Sequence, residues 1–229
     1  MSTKRSRILV IGDTHCPGML EGYPDFLWDT YKSWRCDRVV HIGDFLDWHA
    51  INFHGKNPST PAVQEEVGSA RKQVARITKM FPHADWMIGN HDALPSRHAE
   101  ESGLPPDMLR SESDYWDLPK GWSVQPRYKK HVIDNVIYSH GETGPQGENA
   151  AKNQSRSNFQ STVIGHLHAC SGVSWTVNHR YRIFGMSVGC GMDWRLLQFS
   201  YGVKFKHKPA ISCGVVIEGE YAYVEPMRL

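Results

Sequence analysis

The sequence predicts an α/β fold with a largely parallel central sheet, and two observations indicate it. Short apolar runs that end in glycine alternate with helical segments in the first half of the chain. Strands that alternate with helices are typical of βαβ units, which make neighbouring strands parallel. In the second half, short β-rich segments dominate, so we expect more strands than helices there.

The three strands of the first half are predicted at residues 7–12, 38–43 and 84–89. Each is a short run of mostly apolar residues followed by a turn-forming glycine. Such runs suit strands that are buried on both faces, as in the centre of a parallel sheet.

Two helices are predicted between these strands. Residues 24–34 carry apolar side chains at mixed three- and four-residue steps. Residues 63–81 show a regular pattern, and Pro82 is expected to end that helix. Its apolar positions are spaced by alternating steps of four and three: Val63, Val67, Ala70, Val74, Ile77 and Phe81. The intervening residues 52–61 contain glycine and proline and are predicted to form a loop.

Residues 95–130 are rich in proline, aromatic and charged residues, and we predict an irregular insertion or lid with a short helix. Further strands are predicted at residues 132–139, 161–165, 173–177, 181–188, 213–217 and 221–224. Residues 193–229 would then form a C-terminal β extension. Because the length suits one domain with insertions, we expect a single domain over residues 1–229.

Charge and composition exclude several classes of protein. The chain has 26 Lys and Arg against 24 Asp and Glu, so no global basic field indicates a nucleic-acid partner. No apolar run approaches the ~20 residues of a membrane span, and the first residues do not resemble a signal peptide. The five cysteines form no CxxC pair and are odd in number, which fits a reducing compartment. We therefore expect a cytoplasmic protein without a membrane partner.

Potential metal ligands follow several of the predicted strands. The carboxyl ends of parallel strands meet at one edge of a sheet, so we expect these loops to converge on one crevice. Where the backbone stays extended, the first and third residues of each Asp-x-His or His-x-His triplet would point the same way. The clusters are Gly12-Asp13-Thr14-His15, Gly43-Asp44-Phe45-Leu46-Asp47, Gly89-Asn90-His91-Asp92, Ser139-His140-Gly141 and Gly165-His166-Leu167-His168.

Each cluster has an ordinary explanation when taken alone. An Asp-x-His triplet arises by accident, and Asn with Gly also suits a turn. Five clusters in a fixed order, each at a predicted strand end, favour a single chemical site instead. Histidine is the commonest metal ligand, and the chain has 13 of them.

These motifs together resemble those of the calcineurin-like metallophosphoesterases. The matching elements are Asp-x-His, Gly-Asp-x-x-Asp, Gly-Asn-His-Asp, a histidine before glycine, and Gly-His-x-His, spread over residues 8–190. The resemblance implies an α/β fold of four layers, α/β/β/α, with a dinuclear metal site at the carboxyl edge of the strands. The β-rich second half agrees with this architecture better than with a single doubly wound sheet.

The resemblance also implies a role for each site residue. His91 would assist the leaving group without binding metal, and Asp47 would accept a hydrogen bond from His91. A helix N-cap is the alternative role for Asp47. The ligands of the first metal would be Asp13, His15 and His168, those of the second Asn90, His140 and His166, and Asp44 would bridge the two.

The implied cofactors are two divalent metal ions. A mixed nitrogen and oxygen ligand set suits Mn, Fe, Zn or Ni better than Mg or Ca, and manganese is our first choice. Two cations ~3.5–4 Å apart clamp a phosphoryl group and activate a bridging hydroxide for in-line attack. No covalent enzyme intermediate is needed in such a reaction.

Differences from the phosphatase branch favour a phosphodiesterase. Serine/threonine phosphatases of this family read Gly-Asp-x-Val-Asp-Arg-Gly and Gly-Asn-His-Glu, whereas here Trp48-His49 replace Arg-Gly and Asp92 replaces Glu. Arg97 is a candidate substitute for the phosphate-binding arginine. The alternatives are a phosphomonoesterase, including a protein phosphatase, a nuclease, and a non-catalytic scaffold. The expected partner is a phosphoester substrate, with nucleotides and nucleic acids among the candidates.

The aromatic residues of the predicted insertion allow two interpretations. Tyr115, Trp116 and Trp122 are either stacking platforms for a substrate or packed residues of a lid.

Overall fold

The computed structural model describes residues 6–53, 59–196, 199 and 206–229. Parts of the predicted loop 52–61 and of the predicted extension 193–229 lie outside these ranges. The helices are α1 (Tyr23–Ser33), α2 (Val63–Met80), α3 (Leu94–Glu101), α4 (Glu112–Tyr115) and α5 (Ala150–Asn158). The strands are β1 (Arg7–Ile11), β2 (Arg38–His41), β3 (His83–Met87), β4 (Gly121–Gln125), β5 (His131–Ile133), β6 (Val136–Ser139), β7 (Thr162–Ile164), β8 (Ser171–Val177), β9 (Arg182–Val188), β10 (Ser212–Ile217) and β11 (Tyr221–Pro226).

The strands form two mixed sheets. In the first, the order is β11-β10-β1-β2-β3-β4, with β1 to β4 parallel and β10 and β11 antiparallel to their neighbours. In the second, the order is β5-β6-β7-β9-β8, with β6, β7 and β9 parallel. The parallel strands of both sheets therefore present the loops that follow them at their carboxyl ends.

Alternate side chains of β1 enter two different cores. Leu9 and Ile11 belong to a cluster that also contains Leu27 of α1 and Val74 of α2. Ile8 and Val10 belong instead to a cluster that is shared by the two sheets. Because successive side chains of a strand point to opposite faces, β1 packs against helices on one face and against the second sheet on the other.

Helix α5 covers the outer face of the second sheet. Its Ala150 and Ala151 pack with Ile164 of β7 in a small buried cluster. The layers are therefore helices α1 and α2, the first sheet, the second sheet, and α5. This arrangement confirms the α/β/β/α architecture that the resemblance implies.

The elements of the first half agree with the sequence patterns to within two residues. Helix α1 has a proline in its first turn, where the missing amide hydrogen costs nothing. Helix α2 ends at Met80, and Phe81 caps it through a hydrogen bond from its amide to the carbonyl of Ile77. The proline that follows cannot continue the helical hydrogen bonds.

The predicted insertion at residues 95–130 is less irregular than expected. It contains α3, a short 3-10 turn, α4 and the strand β4, which pairs in parallel with β3 at the edge of the first sheet. Trp122 of β4 is buried, stacks 5.7 Å from the ring of Phe45, and donates its indole hydrogen to the carbonyl of Phe81. Prolines lie just outside both ends of β4, so they bound this strand and do not interrupt it.

Two further elements differ from the sequence prediction. Residues 132–139, predicted as one strand, form the hairpin of β5 and β6 around Asp134 and Asn135, which both have positive φ. Such residues suit a tight two-residue turn. Helix α5 is absent from the prediction because its buried side chains are small or polar, as Gln154 and Ser155 show. They give no apolar periodicity.

The half-buried carboxyl of Glu112, in the aromatic part of this region, predicts a pH-dependent stability. Burial raises the pKa of Glu112 to about 7, and its carboxyl accepts a hydrogen bond from the indole nitrogen of Trp116 at 3.2 Å. Between pH 4.5, the usual pKa, and about 7, the unfolded chain loses this proton while the folded chain keeps it, so stability falls as pH rises. We expect Glu112→Gln to raise the free energy of unfolding at pH 8 by up to about 3 kcal/mol. It should have little effect at pH 4.

Urea unfolding at pH 4 and pH 8 checks this prediction. The exposed Glu218, in the turn between β10 and β11, offers the control substitution Glu218→Gln, which should leave both values within error. Equal effects of Glu112→Gln at the two pH values would contradict the proposed origin in a buried ionisation.

Candidate metal centre

The loops that follow β1, β2, β3, β6 and β7 meet at one place. Three groups of side chains there have ligand atoms within 4.8 Å of one another. Asp44 belongs to two of these groups, and Asn90 joins through a 3.0 Å contact between its Oδ1 and the Nε2 of His140. The structure therefore brings all nine predicted site residues together. The groups are Asp13, His15, Asp44 and His168; His15, Asp47 and His91; and Asp44, His140 and His166.

The first group joins the loops after β1 and β7. The Nε2 atoms of His15 and His168 lie 3.0 Å apart, and the Nε2 of His168 lies 3.2 Å from Oδ2 of Asp13. The same Oδ2 accepts a hydrogen bond of 2.9 Å from the backbone amide of His166. Two imidazole nitrogens and a carboxylate thus converge on one point.

The second group surrounds Asp44. Its Oδ2 lies 3.2 Å from Nε2 of His140 and 3.8 Å from Nε2 of His15, so one carboxylate faces both groups. Its Oδ1 accepts a hydrogen bond of 2.8 Å from the backbone amide of His91. This central place is the one that a bridging ligand would occupy. Metal binding by each residue stays a prediction.

The backbone at the site is not extended as the triplet argument assumes. His15, Asp44 and His166 have φ values of 47°, 46° and 65°, in the left-handed region that side-chain-bearing residues rarely adopt. The expectation from simple alternation is therefore wrong, although Asp13, His15 and His168 still converge. Left-handed conformations cost energy and cluster at functional sites, where surrounding contacts hold them.

The orientation of His91 also differs from expectation. Its Nδ1 donates a hydrogen bond of 2.7 Å to the backbone carbonyl of Asp47, whereas the nearer carboxylate oxygen of Asp47 lies 3.5 Å away. That carboxylate instead accepts a hydrogen bond of 2.9 Å from Nδ1 of His15. Asp47 therefore positions a predicted metal ligand with its side chain and positions His91 with its main chain.

Asp92 has a structural role that explains its burial. Its carboxyl accepts hydrogen bonds from the backbone amides of Leu46 and Gly89, both at 2.9 Å, and from the indole nitrogen of Trp86 at 3.2 Å. These bonds tie the loop after β2 to the loop after β3. Burial and the nearby Asp44 raise the pKa of Asp92 to about 8.

The electrostatics of the site separate charged from neutral groups. Burial opposes the ionisation of Asp44, but neighbouring His140 and His91 hold its pKa well below the usual value. Burial also disfavours the charged form of His140, yet Asp44 raises its pKa to about 10. For His15, burial and the neighbouring histidines His91 and His168 lower the pKa well below normal. A neutral imidazole is the form that binds a metal.

Two observations indicate that the residues of this site could hold divalent metal ions. Oδ1 of Asp13 is fully buried and has no hydrogen-bond partner among the residues that the structure describes. A buried carboxylate oxygen without a partner is costly, and a cation would supply one. The donors are carboxylate, amide and imidazole groups, which suit Mn, Fe, Zn or Ni.

Glycine at position 89 is required by the close approach of Asp44. A Cβ atom at residue 89 would lie 2.2 Å from Oδ1 of Asp44 and 2.6 Å from its amide nitrogen. We expect Gly89→Ala to displace Asp44, to lower bound metal, and to destabilise the fold by about 1–3 kcal/mol. Metal analysis and thermal unfolding measure the two effects.

Gly68 of α2 provides the matched control, because a Cβ atom there would meet nothing within 4 Å. Gly68→Ala should keep full metal content and match or exceed wild-type stability, since alanine favours helices. Wild-type metal content in Gly89→Ala would contradict the required close approach.

The aromatic side chains of segment 95–130 have two kinds of environment. Trp116 and Trp122 are buried packing residues, whereas Tyr115 lines a pocket together with Trp48. Arg97 lies with its guanidinium 4.5 Å from the centre of the Phe53 ring. Sequence reasoning assigned no role to Trp48, although its position directly after Asp47 was a usable signal.

Among the described residues, no helix is both long and apolar enough to cross a membrane.

Known proteins match this chain in sequence and in fold. A family model described as calcineurin-like phosphoesterase matches residues 6–179, more than half of the chain. Gene 54 protein of Mycobacterium phage D29 is 26% identical over 218 residues, covering 86% of this chain and 83% of that protein. Vacuolar Protein Sorting 29 from Cryptosporidium parvum has a TM-score of 0.50 at 12% identity, covering 98% of this chain and 92% of that one. Yfce, a phosphoesterase from E. coli, has a TM-score of 0.46 at 15% identity, covering 91% and 87%.

Proposed function

The chain belongs to the calcineurin-like phosphoesterase family, and from this membership and its site we propose that it hydrolyses phosphodiesters with two divalent metal ions. The observation that carries the proposal is the convergence of seven candidate ligands, with Asp44 at their centre and His91 beside them. His91 keeps 22% of its side chain exposed to solvent, as does His168. It is therefore within reach of a substrate.

The residues that would hold the metals are the two groups that share Asp44. Bound there, the cations would supply Lewis acidity that activates the attacking water and neutralises phosphoryl charge. Manganese is our first choice, with iron, zinc and nickel as alternatives. The ligands are Asp13, His15, Asp44 and His168 on one side, and Asp44, Asn90, His140 and His166 on the other.

In this proposal, His91 transfers a proton to the leaving oxygen. Its Nδ1 is held by the carbonyl of Asp47, which leaves Nε2 for the substrate. Although burial disfavours the imidazolium, Asp44 and Asp47 raise the pKa of His91 above the ordinary value. The raised pKa increases the protonated share of His91, and the protonated imidazole is the form that a general acid needs when the phosphorus–oxygen bond breaks.

The diester is favoured over the monoester by charge. A phosphate monoester carries about two negative charges at neutral pH, and a diester carries only one. The position after Asp47 holds an indole, Trp48, and not a cationic side chain. Arg97 is engaged with Phe53. The position that carries arginine in the phosphatase pattern therefore offers no positive charge for a dianion.

Hydrolysis of bis(p-nitrophenyl) phosphate and p-nitrophenyl phosphate, each with Mn²⁺ and with chelator, tests the proposal. We expect diester hydrolysis that requires metal and exceeds monoester hydrolysis in kcat/KM. A preference for the monoester would assign the protein to the phosphatases. Loss of both activities together with metal-free protein would instead support a scaffold that retains only the fold.

A further inference from the structure

A pocket of about 390 Å³ is lined by Trp48, which directly follows Asp47 of the candidate site, and has no assigned role. It lies between the segment after Asp47, the start of α3, and the segment from the 3-10 turn at Pro106–Met108 to α4. Its volume falls within the range of about 300–1,000 Å³ that is typical of small-molecule sites. From its position and its lining, we propose that it binds an aromatic ring on the leaving group of a phosphodiester, as in a nucleoside. This inference rests on the proposed hydrolytic function.

Two walls of the pocket come from segments that follow Asp47 and His91 in sequence. Trp48, which forms one wall, directly follows the residue whose carbonyl holds His91. Pro95, on another wall, is the second residue of α3 and closely follows His91 in sequence. Nε2 of His98 bonds the carbonyl of Ile51 at 2.5 Å, which ties these two walls together. The proposal therefore assigns this pocket to the group that receives the proton of His91.

The lining is suited to a flat ring. Trp48 and Tyr115 supply aromatic surfaces with ring centres 6.1 Å apart, and Met108 supplies a flexible thioether that is 72% exposed. Sulfur and aromatic groups make favourable contacts with rings.

The aromatic wall is held rigid from behind. The guanidinium of Arg71 lies 5.0 Å from the centre of the Tyr115 ring and 5.4 Å from that of Trp116. Arg71 also pairs with Asp117 at 2.9 Å. Trp116 in turn packs edge-on against Trp48 at 5.6 Å. A preformed wall loses little conformational freedom when a ring binds, which favours affinity.

The polar groups of the pocket fit a heteroaromatic ring better than a hydrocarbon. The indole nitrogen of Trp48 is buried and has no hydrogen-bond acceptor among the described residues, and Trp48 itself has a left-handed φ of 51°. Arg110 and Glu112 also line the pocket. A nucleobase offers both donors and acceptors to such groups, whereas an alkyl chain offers neither.

Two diesters with matched leaving alcohols test the inference. Adenosine 5′-methyl phosphate and ribose 5-methyl phosphate both release a primary alcohol, and only the first carries a ring that would enter the pocket. We expect kcat/KM for release of methyl phosphate to be at least about tenfold higher for the adenosine compound. Trp48→Phe, which removes the indole donor, and Met108→Ala should each reduce this ratio at least about threefold, mainly through KM.

Leu104→Ala is the matched control, because Leu104 is exposed and does not line the pocket; it should keep the wild-type ratio. Equal hydrolysis of both diesters, or a ratio unchanged in Trp48→Phe and Met108→Ala, would overturn the inference while the hydrolytic function stands. Faster hydrolysis of hexyl methyl phosphate than of the adenosine compound would also overturn it. Absence of metal-dependent hydrolysis of any diester would remove the proposed function itself.

Discussion

Asp44→Asn is expected to abolish metal-dependent hydrolysis and to lower the metal content of both sites together. The carboxylate of Asp44 faces His140 at 3.2 Å and His15 at 3.8 Å, so its charge serves both groups. Replacing residues that only support metal ligands costs about 10–100-fold in metal affinity or activity. Removing the shared charge should therefore cost more than about 100-fold in affinity. A metal titration monitored by calorimetry measures this loss of affinity.

The exposed carboxylate of Asp29 on α1 offers a charge-matched control, and Asp29→Asn should keep the metal affinity and metal content measured for the wild type. Circular dichroism establishes whether the Asp44 variant is folded. Retention of one full-affinity metal in folded Asp44→Asn would show that Asp44 does not bridge the two sites.

His91→Ala is expected to lower kcat by about 10²–10⁴-fold while metal content stays near that of the wild type. The imidazole of His91 contacts the carbonyl of Asp47. The backbone amide of residue 91 donates a hydrogen bond to Asp44, and this bond is kept when the side chain is replaced by alanine. The loss should be smallest for substrates whose leaving group needs no proton, such as p-nitrophenolate. Comparison of nitrophenyl and alkyl diesters measures this dependence.

His179 lies exposed in the turn between β8 and β9, and His179→Ala should leave kcat unchanged. Loss of metal from His91→Ala would instead assign His91 to the ligands. An equal loss for nitrophenyl and alkyl leaving groups would argue against proton donation by this side chain.

The fold was predictable where side-chain periodicity was strong. Helix α2 follows its apolar spacing, and the buried strands β1 and β2 follow their runs of valine and isoleucine. Helix α5 was not predictable in this way, because it buries alanine, glutamine and serine against the second sheet. Strand β4 was not predicted, because prolines flank it and because its pairing with β3 depends on tertiary contacts.

The convergence of the site was predictable, but its detailed geometry was not. Each cluster follows a parallel strand, so Asp13, Asp44 and Asn90 could be expected at one edge. The left-handed backbone at His15 and the use of the Asp47 carbonyl by His91 depend on the neighbouring loops. Short-range sequence patterns carry no information about such contacts between distant segments.

During synthesis, β1 leaves the ribosome long before β10, the strand that pairs with all five of its residues. Until β10 is available, the nascent chain keeps one edge of β1 unpaired, and such edges are templates for aggregation. Contacts between segments far apart in sequence also form slowly. The motifs up to His168 therefore emerge before the sheet that carries Asp13 is complete, so metal loading should be one of the last events in the maturation of this protein.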